Sequence, residues 1–294
     1  MQPLRGFSFD AVNVFVLRDD LLHPEISGNK WRKLKHNLLN ARALGHDRLL
    51  TFGGAFSNHL AAVAAAGKIF NFKTAAFVRG EDASPRNPTL TYCRECGMEL
   101  FFVSRTEYKA HDFSAIDGQW ADAYQIPEGG SNCAALEGFT DFVADIKSGM
   151  AELPNYICVT AGTGGTSAGI ISKLDFEAEV LSFPVLKGGF MKENISKLLS
   201  ECGQERRLNW KVMDDYDFGG YAKWNEELLQ FIKAFYQNND FALDPIYTGK
   251  LFFGVHDLLQ KGYFKKDSRI LLVHTGGRQG IAGFNRRFLT NLPT

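Results

Sequence analysis

The sequence predicts an α/β fold in which parallel β-sheets are covered by helices on both faces. Short runs of β-branched and aromatic residues alternate with longer segments of helical periodicity, and several of these runs end in glycine-rich turns. In such folds ligands bind beyond the carboxyl ends of the strands. The candidate strands are Asn13–Leu17, Leu49–Phe52, Thr74–Val78, Glu99–Val103, Tyr156–Thr160, Val180–Val185, Trp210–Met213 and Ile270–His274.

The length and charge of the chain limit its organisation and its partners. At about 150 residues per domain, a chain of 294 residues is expected to form two domains. The 33 basic and 33 acidic side chains give a formal net charge of +0, without the basic excess that binds nucleic acid or anionic membranes. No apolar run approaches the ~18 residues of a spanning helix, and the start MQPLRGFSFD lacks a signal-peptide pattern. We expect a cytoplasmic protein with neither a nucleic-acid nor a membrane partner.

The cysteines favour reduced thiols over a disulfide framework or a metal site. Their number, 5, is odd, and the chain is too long to need disulfides for stability. Cys93 and Cys96 have the spacing of half a metal or redox motif, but a second pair is missing and both lie in a predicted helix. The other cysteines are Cys133, Cys158 and Cys202. We expect no bound metal.

The first motif that could carry chemistry is SGNKWRK, within Ile26–Lys35, at the start of a predicted helix. Steps of four residues place Lys30 on one face with Leu34 and Leu38. Burial beside apolar side chains lowers the pKa of a lysine, which is what a Schiff-base nucleophile requires. The alternative is a surface lysine whose stem covers the helix while its ammonium stays in water.

The second motif, GGAFSNH, lies within Leu49–Leu60 and joins a strand to a helix. Ser57 and Asn58 fall at the helix start, where they could cap the helix or bind a ligand, and where the helix dipole favours a carboxylate. Capping alone is the commoner explanation. Ser57 and His59 are two residues apart, so a helix would not hold them face to face.

The third motif, AGTGGTSAG, follows a strand within Tyr156–Gly169. Glycines let the backbone approach a ligand closely, and a helix N-terminus offers free N–H groups, so this loop could bind a phosphate. It is not a Walker A loop, and Ser167 stands where the dinucleotide fingerprint has its third glycine. The alternative is a tight turn without a ligand.

The same stretch also contains the G-x-S-x-G pattern of serine hydrolases. Ser167 would be the nucleophile and His274, which follows a later strand, its base. A nucleophile elbow requires the strand to run directly into the serine turn, whereas this strand is predicted to end near Ala161. We keep the hydrolase as an alternative.

Five motifs in this order, SGNKWRK, GGAFSNH, AGTGGTSAG, DPIYTGK and HTGG, resemble the 1-aminocyclopropane-1-carboxylate deaminase and D-cysteine desulfhydrase family. The likeness spans nearly the whole chain. It implies pyridoxal phosphate as cofactor, a homodimer, and the two-domain tryptophan-synthase-β-like (type II) fold. A smaller α/β domain is expected at 33–134, and a larger cofactor-binding domain at 1–32 and 135–294.

The resemblance also implies roles for single residues around the cofactor. Lys30 would bind the cofactor covalently, Lys33 would reach its phosphate, and Asn58 would contact its ring hydroxyl. Tyr247 in DPIYTGK would lie against the ring, and Thr275 in HTGG would face the pyridine nitrogen. The phosphate loop would consist of Gly162, Thr163, Gly164, Gly165 and Thr166.

On the substrate side, Ser57, Asn58 and His59 would meet the carboxylate of a small amino acid, with Ser57 also a candidate for proton transfer. Tyr221, in DDYDFGGY, would point at the substrate, and Tyr247 would join it in catalysis.

The family contains two activities, which differ at two of its positions. Thr248 and Thr275 match the desulfhydrase pattern, whereas the deaminases have Glu and Leu there. We therefore expect α,β-elimination of D-cysteine to pyruvate, sulfide and ammonia. The alternatives are a deaminase giving 2-oxobutanoate and ammonia, and a non-catalytic carrier of the cofactor. Trp31 and Ala222 depart from the family pattern.

Overall fold

The computed structural model describes residues 1–7, 9, 12–82, 87–110, 118–204 and 209–294. The strands are β1 Gln2–Pro3, β2 Asn13–Leu17, β3 Arg48–Gly54, β4 Lys73–Arg79, β5 Glu99–Val103, β6 Tyr124–Ile126, β7 Tyr156–Ala161, β8 Glu179–Pro184, β9 Trp210–Val212 and β10 Arg269–Val273. The helices are α1 Asn29–Ala43, α2 Asn58–Phe70, α3 Pro88–Glu95, α4 Arg105–Ala110, α5 Cys133–Glu137, α6 Thr140–Gly149, α7 Gly165–Lys173, α8 Met191–Glu201, α9 Glu226–Asn239, α10 Thr248–Gln260 and α11 Gln279–Phe288.

Within the described residues the strands form two sheets. The larger has the order β1-β2-β10-β7-β8-β9, and the smaller has the order β5-β4-β3-β6. Every pairing is parallel except that of β1 with β2. The predicted α/β class and all the predicted strands are confirmed, while β1 and β6 are additional.

The larger sheet is buried on both faces, which is why its strands read as nearly continuous apolar runs. Ile270 and Leu272 of β10 join one core with side chains of α9 and α10. Leu271 and Val273 face the opposite core, together with side chains of α7 and α8. Successive residues of a strand point to opposite faces, so one apolar strand contributes to both cores.

The smaller sheet follows the same rule with smaller side chains. Leu49 of β3 packs with Leu60 and Val63 of α2, while the next residue, Leu50, packs with Phe77 on the other face. All four strands of this sheet lie inside 33–134, and those of the larger sheet lie outside it. The proposed domain boundaries themselves stay a prediction.

The carboxyl ends of four strands carry the polar and glycine-rich segments of the predicted site. β3 runs into the turn before Ser57, and β6 is followed by Gly129 and Gly130. β7 ends at Ala161, as predicted, and the glycine loop leads from it into α7. β10 is followed by Thr275. The chain thus gathers these segments at the edges where parallel sheets bind ligands.

One expectation about the cysteines is wrong. Cys133, at the start of α5, and Cys202, just after α8, form a disulfide with a Cα–Cα distance of 5.3 Å. They are 69 residues apart in sequence, and only the packing of α5 and α8 on either side of α7 brings them together. Cys93, Cys96 and Cys158 are free thiols, as expected.

The helices in the described residues are too short or too polar to span a bilayer. In the part of the chain that the structure describes, none combines the length and the apolar character needed to cross a membrane.

Candidate active site

The helix that carries Lys30 begins against the end of β10. Gly28 precedes α1 with a φ of 65°, and a Cβ added there would overlap the carbonyl oxygen of Thr275. The backbone N–H of Asn29 donates to that same oxygen at 3.2 Å. Only glycine fits this close approach. Gly28 therefore fixes the start of α1 and the position of Lys30.

Lys30 has the environment that its apolar neighbours predicted. Leu34 and Leu38, on the same face of α1, are buried. Burial lowers the pKa of the Lys30 amine to about 8. A larger fraction of the amine is therefore neutral near physiological pH than in an ordinary lysine, which favours the nucleophile interpretation over that of a solvated surface lysine.

Lys33 lies one helical turn further on and is 2% exposed. Its ammonium donates to the carbonyl of Gly129 at 3.0 Å and to the hydroxyl of Ser131 at 3.4 Å. Burial, followed by the nearby charge of Lys30, lowers its pKa well below the usual range. A Cβ added at Gly165 would lie 2.8 Å from the Lys33 Nζ, so this cation faces the N-terminus of α7.

The glycines of the loop between β7 and α7 let neighbouring side chains approach its backbone closely. A Cβ at Gly162 would lie 3.3 Å from the Tyr247 ring, and one at Gly165 would overlap the Ser131 hydroxyl. Gly164 has a φ of 87°, which favours glycine. Ser131 and Thr163 share a hydrogen bond of 2.6 Å. The free N–H groups of α7, the hydroxyls and Lys33 together form a site suited to a phosphate.

Ser57 and Asn58 occupy the start of α2, as the sequence predicted. The Ser57 hydroxyl accepts hydrogen bonds from the backbone N–H groups of His59, at 3.2 Å, and Leu60, at 3.4 Å. Its own proton remains available to a ligand. The Asn58 side chain accepts a hydrogen bond from Gln279 at 3.0 Å and lies beside Gly277. Capping and ligand binding are therefore compatible at this turn.

The side chain of His59 is buried beneath the first turn of α2. It is 2% exposed, and its Nε2 bonds to the Thr51 hydroxyl at 2.9 Å. Its Nδ1 lies 3.4 Å from where a Cβ of Gly130 would be, and it has no hydrogen-bond partner among the described residues. Burial, then the charges of Lys30 and Lys33, lowers its pKa well below the usual range. The imidazole is therefore close enough to Lys30 and Lys33 for their charges to act on it, and its role toward the substrate carboxylate stays a prediction.

Tyr221 and Tyr247 meet at the mouth of the site. Their ring centroids lie 6.2 Å apart with an interplanar angle of 73°, and their hydroxyls interact. Burial raises the pKa of Tyr221, and it raises that of Tyr247 well above the usual range, where the neighbouring charge of Tyr221 adds to it. Together with Asn58, both tyrosines line the pocket of the candidate active site. Both phenols stay protonated at neutral pH and can donate a proton.

The two threonines that separate the family's activities have different surroundings. The Thr275 hydroxyl pairs with that of Thr160 at 3.3 Å. Thr248 is 0% exposed, and its hydroxyl donates to Asp244 Oδ2 at 2.7 Å and accepts from the Asp244 backbone N–H at 2.9 Å. Thr248 therefore stabilises the turn before α10 and does not face the pocket.

The geometry does not support the serine hydrolase. Ser167 lies within α7, and its buried hydroxyl has no hydrogen-bond partner among the described residues. His274 Nε2 is bonded to the carbonyl of Ala242 at 2.9 Å, and its Nδ1 accepts from the N–H of Gly276 at 3.3 Å. Both ring nitrogens are thus engaged away from Ser167, and the strand does not run into a serine turn.

The two departures from the family pattern also have a structural explanation. Trp31 stacks on Phe70 with centroids 5.9 Å apart and packs against His23, on a surface away from the pocket. Ala222 adopts a φ of 55°, in the left-handed region that glycine adopts more readily. The Trp31 ring thus has its own partners in Phe70 and His23.

Several site residues were missed by the sequence reasoning. Ser131 and Gly129 bond to Lys33, Thr160 pairs with Thr275, and Asn29 donates to the Thr166 hydroxyl at 2.7 Å. Asn29 and Thr160 lay inside stretches already singled out, but neither was assigned a role. Gly129 and Ser131 have no local pattern that marks them.

The residues present fit a phosphate-bearing aldehyde such as pyridoxal phosphate. A buried amine of lowered pKa can attack an aldehyde, and the N-terminus of α7 at Gly165, with Lys33 and Ser131 against it, suits the phosphate. Tyr247 lies between the glycine loop and the pocket mouth, where a flat ring would pack. Each part of the cofactor thus has a matching group in the chain.

Comparisons with known proteins agree with this fit. The chain matches a family model described as "Pyridoxal-phosphate dependent enzyme" over residues 1–276. It is 30% identical over 299 residues to a protein of Pyrococcus abyssi (strain GE5 / Orsay) named "Putative 1-aminocyclopropane-1-carboxylate deaminase", covering 95% of this chain and 88% of that protein. It is 26% identical over 294 residues to the D-cysteine desulfhydrase of Klebsiella pneumoniae (strain 342), covering 92% and 89%. The crystal structure of an ACC deaminase homologue matches with a TM-score of 0.82 and 28% identity, covering 94% of this chain and 88% of that one.

Proposed function

The chain belongs to the pyridoxal-phosphate-dependent enzymes, and from this premise we propose that it eliminates the thiol of D-cysteine. It is a lyase of the type to which the 1-aminocyclopropane-1-carboxylate deaminase and D-cysteine desulfhydrase relatives belong. In the proposed reaction, D-cysteine and water give pyruvate, ammonia and hydrogen sulfide.

The observation that carries the choice of substrate is the enclosure of Thr248. The family's deaminase pattern has a glutamate at this position, but the Thr248 hydroxyl is held between the backbone N–H and the carboxylate of Asp244. A glutamate could enter only by displacing this turn and burying a second carboxylate beside Asp244. The local structure therefore supports the desulfhydrase pattern.

We assign the cofactor to residues already brought together at the carboxyl ends of the strands. The residues that would hold it are Lys30, Lys33, Asn58, Gly162, Thr163, Gly164, Gly165, Thr166, Tyr247 and Thr275. When bound, pyridoxal phosphate supplies the electron-accepting ring that stabilises negative charge on the substrate Cα.

The proton transfers fall to the chain's own side chains. Lys30 Nζ, whose pKa is about 8, takes the proton from the substrate Cα in its neutral form. Tyr221 or Tyr247 gives a proton to the departing sulfur, since both phenols remain protonated at neutral pH. Ser57 and Asn58 orient the substrate carboxylate at the start of α2, where the helix dipole favours an anion.

The apolar rim of the pocket limits the entry of water during the reaction. Phe56, Ile246 and Phe284 line its mouth beside Tyr221 and Tyr247. Apolar walls strengthen the electrostatic interactions between the reacting groups and the chain.

A second candidate is deamination of 1-aminocyclopropane-1-carboxylate to 2-oxobutanoate and ammonia. It is favoured by the names of the Pyrococcus abyssi relative and of the matching crystal structure. The same pocket, lysine and glycine loop would serve both reactions, so the positions of Thr248 and Thr275 are what separates the two candidates.

Turnover of the two substrates by the cofactor-loaded enzyme tests the proposal. We expect sulfide and pyruvate from D-cysteine, and little 2-oxobutanoate from 1-aminocyclopropane-1-carboxylate. L-Cysteine serves as the stereochemical control, and Lys35→Met as a control variant on the outer face of α1. The absence of sulfide, with 2-oxobutanoate formed, would replace D-cysteine by the second candidate. If no amino acid yields a keto acid, the chain is a carrier of the cofactor.

The oligomeric state and the cellular location of the protein are also proposals. We propose a homodimer, which light scattering of the purified holoenzyme tests. We also propose a cytoplasmic location. Because a reducing cytoplasm opposes disulfides, the oxidation state of Cys133 and Cys202 in freshly lysed cells is informative.

A further inference from the structure

Lys250, on α10, is a buried charged residue for which the reaction described above has no use. It is 1% exposed and stands one turn after Tyr247. Its ammonium donates to the backbone carbonyl of Asp217 at 2.7 Å and to that of Gly220 at 2.8 Å. It also lies 5.9 Å from the centroid of the Phe218 ring. All three contacts are with the segment that leads to Tyr221.

The lysine does not stabilise the helix that carries it. A cation in the first turn of a helix opposes the helix dipole, and burial of an ammonium costs free energy that two carbonyls recover only in part. In keeping with this, burial lowers the pKa of Lys250 to about 8. An apolar side chain of the same length would pack at lower cost, so the lysine's contribution is to the segment it contacts.

The backbone of the 217–222 segment has an unusual conformation. Phe218, Gly219, Gly220 and Ala222 all have positive φ angles, of 54°, 90°, 117° and 55°. For Phe218 and Ala222, which carry side chains, such conformations are sparsely populated and persist where surrounding contacts determine them, whereas glycine adopts them readily. The side chain that this strained segment presents to the pocket is Tyr221, which is 40% exposed.

We propose that Lys250 is a positioning residue for Tyr221. By binding the carbonyls of Asp217 and Gly220, it ties the 217–222 segment to α10, which begins immediately after Tyr247. One helix start therefore fixes both phenols, Tyr247 directly and Tyr221 through Lys250. The catalytic consequence rests on the proposed function, because it requires Tyr221 to face the substrate.

Two lysine variants separate this role from a general effect of charge. Lys250→Met removes the N–H donors and keeps an unbranched apolar side chain. Lys187→Met is the matched control, since Lys187 is exposed and lies against Gly220, 3.4 Å from where its Cβ would be. Carbon-13 NMR of protein labelled at the tyrosine Cζ, assigned with Tyr221→Phe and Tyr247→Phe, reports the two rings without any turnover. We expect Lys250→Met to shift or broaden the Tyr221 signal and Lys187→Met to leave it unchanged.

A double-mutant cycle then tests the route of the effect. We expect Lys250→Met to lower kcat on the order of 10-fold to 100-fold, the range typical of a misplaced catalytic group. If Lys250 acts through Tyr221, the double variant of Lys250→Met and Tyr221→Phe should have the same kcat as Tyr221→Phe alone. Losses that multiply, or an unchanged Tyr221 signal in Lys250→Met, would overturn the proposal. Should no amino acid be turned over, the proposed function fails, while the NMR signal still decides the role of Lys250.

A loop variant keeps the test decisive if Lys250→Met does not fold. Gly220→Ala leaves the core intact but is strained at a φ of 117°, so the carbonyl that Lys250 binds must move. Its control is Gly262→Ala, which has a φ of 65° and no neighbour within 4 Å. We expect only Gly220→Ala to displace the Tyr221 signal, and equal spectra for both variants would refute the tether.

Discussion

The side-chain amide of Asn29 donates a hydrogen bond to the Thr166 hydroxyl at 2.7 Å. This bond joins the residue before Lys30 to the second residue of α7, which lies behind the glycine loop. The two halves of the site, one holding the reactive amine and the other the phosphate cradle, are thereby held at a fixed separation. A cofactor attached at both ends requires such a fixed distance.

The lowered pKa of Lys30 predicts how cofactor attachment depends on pH. Only the neutral amine attacks an aldehyde, so the rate should rise roughly tenfold per pH unit below about pH 8 and level off above it. Borohydride reduction at timed intervals, with peptide mapping, measures the rate. Lys30→Ala should give no adduct at any pH, and Lys35→Met should match the unmodified chain. A rate that keeps rising to pH 10 would contradict the lowered pKa.

The same shift predicts the stability of the cofactor-free protein. Between about pH 8 and the ordinary lysine pKa of 10.5, the unfolded chain binds more protons at Lys30 than the folded chain does. Stability therefore increases with pH across this window, and Lys30→Met should reduce the increase. Urea unfolding at several pH values measures the slope, and equal slopes for both proteins would refute the assignment.

Lys33 is expected to recognise the phosphate of the cofactor. Lys33→Met should weaken pyridoxal phosphate binding by about 10-fold to 100-fold, as expected for a charge-assisted hydrogen bond of about 1.5–3 kcal/mol. Binding of pyridoxal, which lacks the phosphate, should change little. Absorbance titrations with both ligands give the two affinities. Equal losses for both would mean that Lys33 acts on the fold and not on the phosphate.

Thr248 should contribute to stability through its hydroxyl. Thr248→Val keeps the shape but leaves the backbone N–H of Asp244 without its partner, at a cost of about 1–3 kcal/mol, while the Asp244 carboxylate keeps its backbone donors. Thr248→Glu should cost more, because it adds a buried carboxylate. Urea midpoints compare the two, with Thr290→Val, at a hydrogen bond remote from the site, as a control. A stable Thr248→Glu variant would remove the structural argument for D-cysteine.

The disulfide between Cys133 and Cys202 predicts a protein whose stability depends on reductant. Opening a loop of 69 residues should lower the free energy of unfolding by about 4 kcal/mol in the chain-entropy treatment. Urea unfolding with and without dithiothreitol measures the difference. The doubly substituted Cys133→Ser, Cys202→Ser variant should not respond to the reductant. Identical unfolding curves for the original chain would show that the bond does not form.

The sequence predicted the elements that have a strong local pattern. β10 is a buried apolar run and was found, whereas β1 and β6, of 2 and 3 residues, carry too little periodicity to be recognised. The glycine loop after β7 was found because glycine marks close approaches of the backbone. The motif placed His59 in the first turn of α2, but the Thr51 hydroxyl as partner of its ring could not be predicted, because Thr51 lies in β3 outside the motif.

Partners that are distant in sequence could not be predicted from local patterns. Ser131 meets Lys33 across a separation of 98 residues, and Cys133 meets Cys202 across 69. Lys250 stood inside a recognised motif, but its acceptors are backbone carbonyls, which every residue possesses and no residue type identifies. Only the packed fold shows these relationships.

The order of strands in the larger sheet has a consequence for synthesis on the ribosome. β10 lies between β2 and β7, so the sheet cannot close until nearly the entire chain has left the exit tunnel. The strands of the smaller sheet all precede residue 127 and can pair much earlier. During translation one edge of β2 therefore stays unpaired until β10 has been synthesised, about 250 residues later. Nascent chains stalled before β10 should be cleaved by protease within β2 but protected within β3 and β4, and equal cleavage of both regions would argue against this order.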